Sequence, residues 1–270
     1  MDIMLLVLLA LGFIAGVIAG IFGLGGGILF TPILFIVFSD AGMQEPVLLA
    51  IATSLFCSFI STTGSSIRQY RQNNMFWLDG TKVGLLGVAG VTLGKQVITS
   101  PYYNEKVFVL FFSLLLFYVA FMFYSRGAGR RQHNPDDGPV SLKQAGITGG
   151  LGGFVAALAG IGGGGVMVPI MNLFYHKPFQ KAVSISSLAI VFIALSGWLQ
   201  LAVAVGDVQA LTIWHWGYVD FGAALPLAAG GLAGGFIGAW LNMILDRRYL
   251  QLAFAVLAVV MAVRLLAEVF

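Results

Sequence analysis

The chemistry this sequence can offer is that of backbone amides. Gly23-Leu24-Gly25-Gly26-Gly27, followed by Pro32, returns as Gly160-Ile161-Gly162-Gly163-Gly164 followed by Pro169. Glycine lets a ligand approach the main chain. A helix that starts directly after such a run presents unpaired N–H groups at the positive end of its dipole, a combination that favours an anion. The expected donors are Ile28 to Thr31 and Gly165 to Val168, with each proline near a helix start, where a missing N–H costs little. Gly23, Gly25, Gly26, Gly27, Ile28 and Thr31 in one run, and Gly160, Gly162, Gly163, Gly164 and Gly165 in the other, are the candidate substrate-binding positions. The competing reading is that the glycines only let helices pack closely.

Side-chain hydroxyls follow each run. Thr53, Ser54 and Ser58 come after the first, and Ser184, Ser186 and Ser187 after the second. They could complete the hydrogen bonds of an oxyanion without a deep lysine or arginine, whose desolvation would be costly. Hydroxyls in membrane helices also bond helix carbonyls and neighbouring helices, so each taken alone suits a structural role. Asp79 and Asp220 each fall a few residues inside a long apolar stretch, where a proton relay is one reading. Interfacial polar residues beside Trp77, Trp214 and Trp216 are the other. His133 and His176 lack ligand spacing, no metal or Ser/His/Asp arrangement is visible, and neither cofactor nor catalysis is expected. The single Cys57 excludes an internal disulfide. No GxxxxGK[ST] motif occurs, so energy must come from a gradient or a separate partner.

The elements that must hold these groups are membrane helices. The chain has 270 residues, 59% of them hydrophobic and only 9% charged, with a mean hydropathy of +0.95. Ordinary soluble domains carry about 25% charge, so the chain belongs in a bilayer. Its apolar runs are continuous over about 20 residues and lack two-residue alternation, which reads as helix rather than barrel. The cations lie scattered in short loops, which does not call for nucleic acid. The start, Met1 to Leu11, holds Asp2 and no basic residue, and is read as a retained span.

An offset of 137 positions brings Gly12, Gly16, Ala19, Gly23, Gly25, Gly26, Gly27, Pro32 and Ile33 onto Gly149, Gly153, Ala156, Gly160, Gly162, Gly163, Gly164, Pro169 and Ile170 without a gap. This is an internal repeat. Residues 1–124 form the first transmembrane copy, 125–142 a hydrophilic cytoplasmic linker, and 143–270 the second copy. In the first copy the spans are Ile3 to Phe22, a short piece Ile28 to Phe38, Val47 to Ser66, Met75 to Ile98 and Val107 to Tyr124, with a basic loop Arg68 to Asn74. In the second they are Leu142 to Ala159, Val166 to Tyr175, Ala182 to Val205, Trp216 to Leu245 and Tyr249 to Phe270, with a basic turn at His176, Lys177 and Lys181. Ala50-Ile51 aligns with Ala182-Val183, which sets Ser54 on Ser186.

Positive-inside counting orients the spans. If each glycine-broken segment goes in and comes back, as two short crossings or a re-entrant hairpin, the halves are inverted. Arg68, Arg71, Arg126, Arg130, Arg131, Lys143, Lys177, Lys181, Arg247 and Arg248 then all lie inside, and Asp40, Glu45 and Asp207 outside, with Lys106 the exception there and Lys95 able to snorkel outward from a span's end. Parallel halves would put four of those cations outside. The expected architecture is an all-α polytopic membrane protein of 8 to 10 transmembrane segments. It has two inverted-topology repeats, each with a glycine-broken helix or re-entrant hairpin plus three full spans, and both termini outside.

The stretches AGIFGLGGGILFTPIL from Ala19, ALAGIGGGGVMVPIM from Ala157, AIATSL from Ala50 and AVSISSL from Ala182 resemble the sulfite exporter TauE/SafE family over almost the full chain. The resemblance implies transport of a small, sulfur-containing anion such as sulfite or a sulfonate across the cytoplasmic membrane. The second copy has Ser184-Ile185-Ser186 where the first has Ala52-Thr53-Ser54, so the two hydroxyl clusters need not bind alike. A secondary transporter working by alternating access is the leading expectation. An anion channel and a non-catalytic assembly subunit are the alternatives. Which anion is carried, in which direction, with which coupling ion and in what oligomeric state are not encoded in any motif.

Overall fold

The computed structural model describes residues 2–22, 27–71, 74–126, 136–204, 208–244 and 247–269. Among them the chain forms α1 Asp2–Phe22, α2 Gly27–Asp40, α3 Pro46–Arg71, α4 Trp77–Ile98, α5 Glu105–Arg126, α6 Leu142–Ala159, α7 Gly164–Pro169, α8 Phe179–Ala202, α9 Phe221–Ile244 and α10 Arg247–Val269. A π-helical turn, Ile170–Phe174, continues α7. One small antiparallel hairpin, β1 His215–Trp216 and β2 Val219–Asp220, precedes α9. This is the all-α polytopic class expected. Helices α3, α5, α8 and α9 hold stretches long and apolar enough to cross a membrane, and shorter apolar stretches lie in α1, α2, α7 with its π turn, and α10. Helix α4 spends five buried positions on Gly80, Gly84, Gly87, Gly90 and Gly94 instead.

Those glycines explain the packing. A Cβ at Gly12 of α1 would lie on the Leu227 carbonyl of α9, and one at Gly16 on the Gly231 carbonyl. A Cβ at Gly149 of α6 would lie on the Val83 carbonyl of α4, and one at Gly153 on the Gly87 carbonyl. Backbone therefore rests on backbone in both pairs, the contact small residues permit where no hydrophobic force drives helices together. Gly12 and Gly149 are repeat equivalents, as are Gly16 and Gly153, so for these four glycines close packing accounts for the repeat.

The same contacts give helix directions. Gly12 and Gly16 meet Leu227 and Gly231 in the same order, so α1 runs parallel to α9, as α6 does to α4. Helix α3 is parallel to α9, with Cys57 bonded to the Ala224 carbonyl and Gly64 facing Leu232. Against α8 it is antiparallel: Gly197 faces Leu55, whereas Ser184 bonds the Asn74 carbonyl beyond the far end of α3. Asp136 N–H donates to the His176 carbonyl at 3.0 Å. The chain thus enters α6 and leaves the π turn at one end of the bundle, so α6, α7 and the π turn make a hairpin whose two ends lie together.

Four expectations need correction. The basic loop begins later, because α3 stays helical through Arg68 to Arg71. The span expected over Trp216 to Leu245 is a β-hairpin followed by α9, so Asp220 stands at a helix entrance and not within a span. The carboxylate itself sets that boundary, accepting Ala223 N–H at 3.0 Å as an N-terminal cap. Lys181 belongs to α8 rather than a turn, and it is buried together with Lys177. Pro32 and Pro169 are each the sixth residue of their helix, beyond the first turn, so each removes an interior donor and frees the carbonyl four residues back.

Candidate functional site

Two half-helices start in register. Helices α2 and α7 begin at Gly27 and Gly164, which the 137-residue offset superposes. Of the first glycine run, Gly23, Gly25 and Gly26 lie outside the described residues. The second run is described throughout. Gly160 ends α6 at φ 69°, and Gly162 and Gly163 follow at 73° and 86°. Three left-handed residues within four positions demand glycine. The Gly163 carbonyl takes the N–H groups of Val166 at 3.1 Å and Met167 at 3.0 Å. Two donors expected for a ligand are therefore engaged locally, and Gly164 and Gly165 supply the first-turn amides.

The broken segment of the second half is knitted into the first. Ser54 donates to the Gly160 carbonyl at 2.8 Å. The Thr31 and Ser54 hydroxyls lie 2.8 Å apart, and Thr31 donates to the Gly27 carbonyl at 3.1 Å. One turn further along α3, Ser58 lies over the start of α2, its Oγ 2.6 Å from where a Cβ on Gly27 would stand. A Cβ on Gly162 would stand 3.7 Å from the Cβ of the same serine. Ser58 is fully buried, and its hydroxyl finds no hydrogen-bond partner among the described residues. A buried hydroxyl without a protein partner costs stability, so its retention calls for an explanation.

The structure thus brings together Gly27, Ile28, Thr31, Ser54, Ser58, Gly160, Gly162 and Gly165. Other expected residues lie elsewhere. Thr53 faces away, accepting the Asp220 N–H at 3.1 Å. Ser184 bonds the Asn74 carbonyl, and Ser186 and Ser187 donate back to the Val183 carbonyl of their own helix. Ser58 lies 13 residues before the end of α3 at Arg71, roughly 20 Å of helix rise, and Asn74 follows that end, so Ser184 does not join the cradle. The repeat alignment gives the reason for the asymmetry: Thr31 corresponds to Val168 and Ser58 to Ile190, so the second copy lacks the hydroxyls that the first supplies.

Asp79 lies buried in the first turn of α4, with no side-chain hydrogen bond among the described residues. Asp220 is buried and saturated, accepting from Thr212 N–H at 2.8 Å, Thr212 Oγ1 at 2.6 Å and Ala223 N–H. Beside it, burial pushes the Tyr218 phenol up to about 12, helped by the nearby Glu45 carboxylate. Sequence reasoning missed the burial of Lys177 and Lys181. The signal was the acidic turn Asp136-Asp137-Gly138-Pro139, whose oxygens they bind. No cluster of metal-ligating side chains occurs among the described residues.

A model of the sulfite exporter TauE/SafE family matches residues 8–265. The chain belongs to that family. The chain is similar to a probable membrane transporter protein of Methanocaldococcus jannaschii, 27% identical over 93% of this chain and 91% of its own length. Another, from Bacillus subtilis, is 24% identical over 97% of both chains. A third, from Haemophilus influenzae, is 24% identical over 97% of both. This TauE/SafE member is therefore a multi-pass membrane transporter, and its glycine runs, α2 and α7 fall within the matched span.

Proposed function

We propose that this transporter carries a small anion, sulfite or a related organosulfur anion, across the cytoplasmic membrane by alternating access. The carrying observation is Ser58, a fully buried hydroxyl left unpaired above the first amides of α2 and beside the second glycine break. An oxyanion there would accept the Ser58 O–H and the amides of Gly27 and Ile28, with the Ser58 and Ile161 atoms now packed against Gly27 giving way to admit it. Ser58 occupies one face of α3 with Thr62 and Ser66, and a cleft lined by Thr63, Ser66, Tyr70 and Leu188 opens at the end of α3 that carries Arg68 and Arg71. That face is the route we assign to the anion from the basic end.

Inverted repeats are part of the same reading. Helices α1, α3 and α9 point one way and α4, α6 and α8 the other, so repeat equivalents α3 and α8 oppose one another. The basic end, with Arg68, Arg71, Lys143 and Lys177, is the cytoplasmic face in this proposal, and both termini lie outside. Proton coupling, where it operates, is assigned to Asp79 rather than to the saturated Asp220.

Sulfite flux into proteoliposomes holding the full chain tests the reading. Saturable uptake with trans-acceleration is expected, and it should fall sharply in Gly163→Val. Flux undiminished in that variant, or ohmic current in place of counterflow, would refute it.

A further inference from the structure

The two buried lysines bind not a solute but the chain itself. Lys177 is 1% exposed and Lys181 6%. Lys177 Nζ pairs with Asp136 Oδ2 at 2.6 Å and donates to the Gly138 carbonyl at 2.9 Å. Lys181 Nζ donates to the carbonyls of Asp137 at 2.6 Å and Gly138 at 2.9 Å, and it stands 4.7 Å over the Phe76 ring. Burying two ammonium groups costs several kcal/mol each unless charge and hydrogen bonds compensate. Here one carboxylate and a row of carbonyls compensate both. Yet the carboxylate side is more than half exposed, 54% against 1% for its partner. This is a strap laid over a two-cation pocket, closed from outside.

The position gives the strap leverage. It joins the entrance of α6 to the exit of the π turn, both ends of that hairpin, through Asp136 N–H to the His176 carbonyl. Through Lys181 and Phe76 it also touches the segment between α3 and α4, next to the cleft at the basic end.

We propose that residues 136–139 are a releasable clasp that occupies, with the Asp136 carboxylate and neighbouring carbonyls, an oxyanion site formed by Lys177 and Lys181 at the basic end. Opening the clasp frees the hairpin ends and presents two ammonium groups to a small oxyanion. The pocket is distinct from the cradle at Ser58, and its test does not depend on flux.

Hydrogen exchange on the full chain in lipid nanodiscs reads the clasp directly at peptides covering 136–141 and 174–183. Asp136→Asn removes the charge but keeps the shape. It should speed exchange in both peptides roughly tenfold or more, the factor a charge-assisted hydrogen bond is worth. The interiors of α3 and α8 should keep their protection. Lys177→Met, which leaves only the half-exposed Asp136 carboxylate without its partner, should reproduce the local effect. Sulfite, with chloride as control, should speed exchange at 136–141 in the wild type. Unchanged exchange in both variants, or acceleration spread over every peptide, overturns the clasp. A wild type indifferent to sulfite overturns the oxyanion site.

Discussion

Ile28 lies against Gly165, its own counterpart in the other half: a Cβ on Gly165 would stand 3.4 Å from Ile28 Cδ1. Each is the second residue of its half-helix. The two helix starts therefore meet, and they meet where one half has a side chain and the other has none. A helix start is the positive end of its dipole, so bringing two of them together favours negative charge nearby.

Ser58 should separate stability from transport. Ser58→Ala removes an unpaired buried hydroxyl, so thermal stability in detergent should hold or rise slightly. Apparent affinity for sulfite in proteoliposomes should fall about 10- to 100-fold, the range for a hydrogen bond to a charged ligand. Unaltered affinity would remove Ser58 from the site.

The packing glycines predict a contrast on one helix. A Cβ at Gly153 would enter the Gly87 carbonyl, while one at Gly150 meets nothing within 4 Å. Gly150→Ala should stabilise by about 0.5–1 kcal/mol through helix propensity. Gly153→Ala should destabilise by about 1–3 kcal/mol through overpacking. Thermal unfolding of both variants checks the opposite signs.

The two carboxylates should behave differently. Asp220→Asn weakens a buried cap and should cost about 1–2 kcal/mol, with the pH profile of uptake unchanged. Asp79→Asn should flatten that profile with little loss of stability. Uptake measured across pH, beside melting curves, decides between these roles, and a flat profile in Asp220→Asn would reverse the assignment.

Acid should open the strap only at low pH. The hydrogen bond from Lys177, the Gly138 N–H and the nearby lysine charges hold the Asp136 carboxyl below its usual range. A depressed carboxylate stabilises the fold above its unfolded value and loses that contribution as pH falls through the folded one. Lys177 and Lys181 face it, Asp137 adjoins it in sequence, and the His176 carbonyl accepts the Asp136 N–H. Exchange at 136–141, corrected for intrinsic rate, should therefore be level from roughly pH 5 to pH 8 and rise only below the ordinary carboxylate range of about 3.9. A step between pH 5 and pH 8 would show another group in control.

Most of the fold was legible because a bilayer leaves so few choices. Continuous apolar runs had to be helices, and glycine runs ending in a displaced proline had to interrupt them, so α6 was read to the residue and α2 to within two. The repeat was legible because glycine tolerates no substitute where backbone meets backbone, as at Gly12 and Gly149, or where φ is positive, as at Gly160. Hydrophobicity could not distinguish a span from its entrance, so Asp220 was misplaced. Only the fold turned its carboxylate back onto Thr212 and Ala223.

What the sequence determined by itself was thus the solvent, the helices, the duplication and the places where helix must break, since each follows from local chemistry. Which hydroxyls stand beside the break, and which lysines are buried, were decided by the tertiary structure. Ser54 and Ser184 look alike in sequence, yet the opposed directions of α3 and α8 send one to the Gly160 carbonyl and the other to Asn74. Lys177 and Lys181 look like loop cations until the hairpin of α6, α7 and the π turn brings residues 136–139 over them, because a contact across some forty residues is set by how the chain returns and not by its neighbours along it.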